Sequence, residues 1–273
     1  MRFAWLEQSG VSPSDADFAR VTLIEDAGFD FYRINWGGAE VNDSLALEKV
    51  SGITWSEGRN LLWDLVSEKE YDYVVFADDD ISLISRESNP YSVMIEALRV
   101  HLPLTGTLYS ASDWAHQKSS GIQAPFAQIC GHDLQIQFFS AEAAKALLPI
   151  PFVGSGGSGW YAQLIAYRLW PQKHVCLALP EAVNTRNDAH QDKQVVGFTD
   201  FFEVAELTLH KLRDQVPFWV RSPERLRQWM IRENRKLSKS QYRSSDGRDD
   251  LDTEVMERAR ELRGRFGERH DQD

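Results

Sequence analysis

The sequence predicts an α/β fold with a mainly parallel central sheet flanked by helices and a charged helical extension at its C-terminus. Three observations predict it. The chain opens strand, helix, strand over residues 2–36, a βαβ order that favours a parallel sheet covered by helices. A short apolar run, YVVFA (73–77), leads into three consecutive aspartates, Asp78, Asp79 and Asp80. The carboxyl end of a strand is where open parallel sheets bind ligands. After Pro217 the composition turns strongly charged, which divides the chain into a body, 1–216, and an extension, 217–273.

The elements follow in order. RFAWLE (2–7) reads as the first strand. SDADFARVTLIEDAG (14–28) carries an apolar helical stripe, with Ser14 or Asp15 as N-cap and Gly28 as its close. FDFYRINW (29–36) alternates and is rich in aromatics, a second strand. SEGRNLLWDLVSEKE (56–70) reads as a helix capped by Ser56, and YVVFA as a buried third strand. PYSVMIEALRVH (90–101) is helical and LTGTLYS (104–110) a strand. Residues 111–129 mix polar and small residues and read as a loop. LQIQFFS (134–140) alternates like a strand, and AEAAKALL (141–148) is a short helix stopped by Pro149. The run GSGGSG (154–159) reads as a loop before the helix WYAQLIAYRLW (160–170). HVCLALP (174–180) is a strand that feeds a polar run, 181–193. In the extension, SPERLRQWMIRENRKL (222–237) is a basic amphipathic helix, 238–250 a linker poor in apolar residues, and LDTEVMERARELRGRF (251–266) a charged helix.

The composition narrows the function classes. Of 273 residues, 42% are apolar and 26% charged, ordinary for a globular protein. No run approaches a membrane span, so no transmembrane segment is expected. The N-terminus lacks a signal-peptide pattern and the two cysteines, Cys130 and Cys176, lack a CxxC spacing, which points to core thiols and a cytoplasmic setting. A net charge of −11 argues against nucleic-acid binding. Residues 221–273 hold 14 Lys/Arg against 12 Asp/Glu, so the acidity is concentrated in the body. Such a body needs local help to bind an anion, from a metal ion, a helix N-terminus or a few arginines. The C-terminal helices are candidates for contacts in a homo-oligomer.

The acidic triplet is the strongest chemical signal. Like charges this close repel, and a structural reading makes them a surface turn capping the next helix. The functional reading is that Asp78 and Asp80, one residue apart, both reach one hard cation. Mn²⁺ or Mg²⁺ prefers oxygen ligands and often uses one or two carboxylates plus substrate phosphates.

The block GITWSEGRNLLWDLVSEKEYDYVVFADDDISL (52–83) resembles the central block of family 2-type, GT-A fold nucleotide-sugar glycosyltransferases. In these an Arg-Asn pair opens a helix that runs to an apolar strand ending in Asp-x-Asp; here the pair is Arg59-Asn60. The resemblance implies a Rossmann-like GT-A fold over 1–216, a nucleotide-sugar donor, with UDP-sugar favoured, and a carbohydrate or other hydroxyl acceptor. It implies that Asp80 is the main metal ligand and that Asp78 meets the metal or the ribose. Arg59 would orient the aspartates or meet the diphosphate. With Asp78 and Asp80 on the metal, Asp79 points elsewhere or binds a ribose hydroxyl. A late histidine often joins the metal in this family, and His190 stands in the matching place, with Asp188 and Asp192 beside it. Arg186 is a candidate phosphate contact. Gln8 and Asn35, at the ends of the first two strands, are candidate contacts to the base. Trp114, His116 and Trp160 lie in segments that would edge an acceptor site.

The general base of an inverting member is expected near GSGGSGWYAQL (154–164), which holds no acid. Asp133, Glu181 and Asp188 are the alternatives; a retaining mechanism or a non-catalytic nucleotide-sugar binder also accounts for the gap. VVFADDDIS also fits the Asp-x-Asp motif of haloacid-dehalogenase-type phosphatases. That family carries it on its first strand and adds a later acidic pair, neither of which holds here.

Overall fold

The computed structural model describes residues 1–37, 41–86, 89–110, 125–131, 135–150, 154–185 and 223–237. In chain order the elements are β1 (Phe3–Ser9), α1 (Asp15–Asp26), β2 (Phe29–Asn35), β3 (Glu48–Lys49), α2 (Trp55–Asp64), β4 (Tyr73–Asp78), β5 (Ile81–Ile84), α3 (Pro90–His101), β6 (Thr105–Leu108), β7 (Phe126–Gln128), β8 (Ile136–Ser140), α4 (Ala141–Leu147), α5 (Gly154–Leu169), β9 (His174–Leu177), β10 (Glu181–Asn184) and, in the extension, α6 (Pro223–Leu237). Eight strands form the central sheet in the order β3-β2-β1-β4-β8-β6-β9-β7, and β10 pairs with β5 in a separate ribbon.

The half of the sheet from β3 to β4 is parallel throughout. Antiparallel β8 then joins β4, and the remaining strands are mixed. From β1 the chain moves outward to β2 and β3, then crosses back to place β4 on the other side of β1. That reversal is a topological switch point, and it opens a crevice beyond the carboxyl ends of β1 and β4.

Alternation along the strands builds one core on each face of the sheet. Phe3 and Trp5 of β1 with Tyr73 and Val75 of β4 pack on Ile24 of α1 and on Tyr91, Met94 and Leu98 of α3. Ala4, Leu6, Val74 and Phe76 face the other way, against Leu62 and Trp63 of α2, the alanines of α4, and Leu164 and Ile165 of α5. Trp229 and Met230 of α6 enter that second core. Asn234 of α6 fixes the docking, accepting from Cys130 N–H and donating to Gly131 O, both at 2.7 Å. Both cysteines are buried free thiols.

Several elements differ from expectation. The N-cap of α2 is Thr54, in a capping box with Glu57, and not Ser56, which is buried in the first turn. The helix ends at Asp64, with turns to residue 69. The glycine run 154–159 forms the first turns of α5: packing of the buried stretch from Ala162 to Leu169 extends the helix through residues of poor propensity. β7 lies within the segment read as a loop, and β10 opens the polar run 181–193; short strands with few apolar residues leave little periodicity to read. α1 has the expected Ser14 capping box, yet its inward face carries Asp17 and Arg20 along with Val21 and Ile24. The charged helix expected at 251–266 lies outside the described residues. No described helix is long and apolar enough to cross a membrane.

Candidate functional site

The crevice at the switch point is bounded by Gln8 and Ser9 at the end of β1 and by Asp78–Asp80 at the end of β4; Gln8 and Asp78 are ladder partners. The three aspartates point in three directions. Asp78 is the last residue of its strand, with 28% of its side chain exposed. Its Oδ1 accepts from Arg59 Nη2 at 3.1 Å and from Trp55 Nε1 at 3.2 Å. Its Oδ2 accepts no hydrogen bond from any described residue. Asp79 turns back toward β1, where Ser9 Oγ donates to it at 2.5 Å. Asp80 is buried: Asn184 Nδ2 donates to its carboxylate at 2.9 Å, and its carbonyl accepts from Thr185 N–H at 2.7 Å and Thr185 Oγ1 at 2.9 Å.

Burial pushes the Asp78 carboxyl up to about 6, with the nearby charge of Asp80 acting in the same sense and Arg59 opposing it. The site therefore holds more negative charge than its one arginine offsets. Two acceptor-only carboxylates, one with an unused oxygen, suit a hard divalent cation, and Asp78 and Asp80 are the residues that could hold it. Among the described residues no cluster of three or more His, Cys, Asp or Glu side chains has metal-binding geometry. Two carboxylates are nevertheless enough for a cation that completes its shell with water and phosphate.

Arg59 is 1% exposed and held on three sides. Its guanidinium stands 4.0 Å over the Trp55 ring, bonds Asp78, and donates through Nη1 to Gln137 at 3.1 Å. This is an orienting position for Asp78, set by the inward face of α2. Gly58, one residue earlier, lies against Gln8: a Cβ there would stand 2.4 Å from the end of the Gln8 side-chain amide. In the amide orientation that satisfies both partners, Gln8 accepts from Trp55 Nε1 at 2.8 Å and donates to Trp55 O at 3.2 Å. Trp55 thus bridges the two sides of the crevice. The sequence reading passed over it because a tryptophan at a helix start resembles any other core aromatic.

A second group of charges lies behind the crevice. Glu7 of β1 is fully buried and accepts from both terminal nitrogens of Arg20 and from Arg33 Nη1 at 2.7 Å. Arg20 also bonds Asp17 at 3.1 Å and the carbonyl of Asp79 at 3.4 Å; Arg33 bonds Asp43 at 2.8 Å. Asn35 belongs to this group: fully buried, it donates to Val11 O and Asp43 and accepts from Gly37 N–H. Its amide is used in tying down the loop after β1, so Asn35 stands behind the crevice wall with no group turned to a base. The signal for this group was Glu7, the one charge of β1, and Arg33, a charge in the buried half of β2.

Glu181 starts β10 opposite Ile84, while Asn184 and Ile81 form the other end of that ladder. Three residue rises, about 10 Å, therefore separate Glu181 from the end that holds Asp80. Asp133, Arg186, Asp188, His190 and Asp192 lie outside the described residues, as do Trp114 and His116, and Trp160 lies in the first half of α5.

No protein-family model matches the sequence, and a comparison with curated proteins finds no match. Among solved structures, residues 1–349 of S. aureus TarS in complex with UDP-GlcNAc are similar at 12% identity, over 86% of this chain and 71% of that one, with a TM-score of 0.49. A197 from STIV is similar at 14% identity, over 67% and 84%, with a TM-score of 0.43. A putative nucleotide-diphospho-sugar transferase from Desulfovibrio desulfuricans G20 is similar at 13% identity, over 88% and 98%, with a TM-score of 0.37. Likeness at this level is distant, and the functional reading below rests on the site itself.

Proposed function

We propose that the protein is a metal-dependent glycosyltransferase that moves a sugar from a nucleoside-diphosphate-sugar donor to a hydroxyl acceptor. The observation that carries this reading is the pair Asp78 and Asp80 at the carboxyl end of β4, beside the switch point, with Oδ2 of Asp78 unused. A divalent cation there would supply Lewis-acid stabilisation of the leaving diphosphate. The chain's own residues do the rest. Arg59 and Trp55 fix Asp78 through one oxygen, and no described residue donates to the other. Asn184 and Thr185 hold Asp80 by side chain and carbonyl. Ser9 draws Asp79 aside. His190 and Asp188 follow closely on Thr185 in sequence and are candidates for a third metal ligand and a base.

Calorimetric titration of nucleoside diphosphates with and without Mn²⁺ tests the binding half. Metal-dependent binding that is lost in Asp80→Ala supports it; no nucleotide binding in either condition overturns it. Release of free nucleoside diphosphate from a UDP-sugar, dependent on an added acceptor, separates transfer from binding alone.

A further inference from the structure

Trp36 follows Asn35 directly at the carboxyl end of β2, and its N–H donates to Ser9 O at 2.8 Å. Its side chain packs over the backbone of Gly10. A Cβ at Gly10 would come within 2.7–3.0 Å of three atoms of the indole, so glycine is what lets the ring lie that close. Trp36 is 45% exposed, and among the described residues no aromatic ring or cation packs on it. A large aromatic seated on backbone and nearly half exposed, at the ligand-binding end of a sheet, suits a flat partner.

Its distance from the acidic turn is set by the sheet. β2 and β4 flank β1, so their ends lie two strand spacings apart, about 10 Å. A nucleoside diphosphate spans a comparable length from its pyrophosphate to its base. The two side-chain amides closest to that path, Gln8 and Asn35, are turned inward to Trp55 and to the 11–43 loop contacts. We infer that Trp36 is the stacking platform for the nucleobase, and that this site reads the flat face of the base more than its hydrogen-bonding edge, so it discriminates weakly among bases. The inference rests on the reading that Asp78 and Asp80 hold a metal-bound diphosphate. Stacking tolerates any base because every base has a π-face, and its loss on alanine substitution corresponds to about 5- to 150-fold in affinity.

The test is calorimetric titration of wild type, Trp36→Ala and Trp36→Phe with UDP, CDP, ADP, GDP and inorganic pyrophosphate, each with Mn²⁺. Circular dichroism checks that the variants fold, which the exposure of the ring favours. The expected result has three parts. Wild type binds the four nucleotides within about tenfold of one another and more tightly than pyrophosphate. Trp36→Ala loses about tenfold or more for every nucleotide and nothing for pyrophosphate, and Trp36→Phe keeps most of the affinity. Equal nucleotide binding by Trp36→Ala and wild type overturns the platform. A preference for one base above about 100-fold overturns reading by the flat face, since only edge contacts discriminate so strongly. Binding of pyrophosphate that no base improves overturns this inference and leaves the diphosphate reading standing. Failure to bind either pyrophosphate or nucleotide overturns that reading and this one with it.

Discussion

Glu7 and Asp78 are acidic residues near the carboxyl ends of adjacent parallel strands, and their surroundings could hardly differ more. Glu7 is fully buried and meets two arginines, one of them through both its terminal nitrogens. Among the described residues, Asp78 meets one arginine through one oxygen, and none donates to its other oxygen. The first is a closed arrangement in which each charge is answered within the chain. The second has only that one arginine, and burial, with the nearby charge of Asp80, makes its carboxyl hard to ionise. An unanswered charge costs folding energy, so it marks the place where a ligand is needed to complete the site.

Breaking the closed arrangement gives the largest expected effect. Glu7→Ala leaves Arg20 and Arg33 buried without their shared partner and costs about 3–5 kcal/mol, read as a lower midpoint in urea unfolding. A buried group kept neutral provides the next case. Burial lowers His174 to about 3, below its ordinary 6.5. Its neutral form contributes stability that is fully present above pH 6.5 and is lost as pH falls from 6.5 toward 3, because the unfolded chain takes up the proton first. The loss reaches on the order of 3 kcal/mol by pH 4, and His174→Phe flattens that part of the stability–pH curve. The open arrangement responds in the opposite sense from Glu7. Asp78→Asn removes a charge the fold disfavours, so the metal-free protein gains about 1–2 kcal/mol at pH 8, while any thermal shift produced by Mn²⁺ disappears. Destabilisation of metal-free Asp78→Asn by as much as Glu7→Ala erases the contrast between the two sites. The smallest effect is at their junction. Ser9→Ala removes one donor to the Asp79 carboxylate and costs about 1 kcal/mol in denaturant unfolding.

The sequence made the open arrangement legible and hid the closed one. Asp78–Asp80 stood out because three adjacent charges after YVVFA have few structural uses, and Arg59 was singled out by the resemblance of residues 52–83 to glycosyltransferases. Glu7, Arg20, Arg33 and Asp43 are spread over 37 positions, and only the parallel register of β1 with β2 and the inward turn of α1 bring them together. The parallel half of the sheet was readable because apolar alternation and capping residues are local signals. The strands β3, β7 and β10 were not, since each has two to four residues and exists through its partner more than through its own pattern. Asn35 shows the limit of arguing from position: it stands at the end of β2 as expected, but its amide is consumed by Val11, Asp43 and Gly37.

The clasp of Asn184 and Thr185 on Asp80 joins residues 104 and 105 positions apart. The β1–β2–β4 frame can pair once β4 has left the ribosome, and Ser9, Trp55 and Arg59 are by then already made to hold Asp78 and Asp79. The clasp on Asp80 waits for more than a hundred further residues. Chains cut short before β10 would keep a recognisable half-sheet and lose the hold of Asn184 and Thr185 on Asp80.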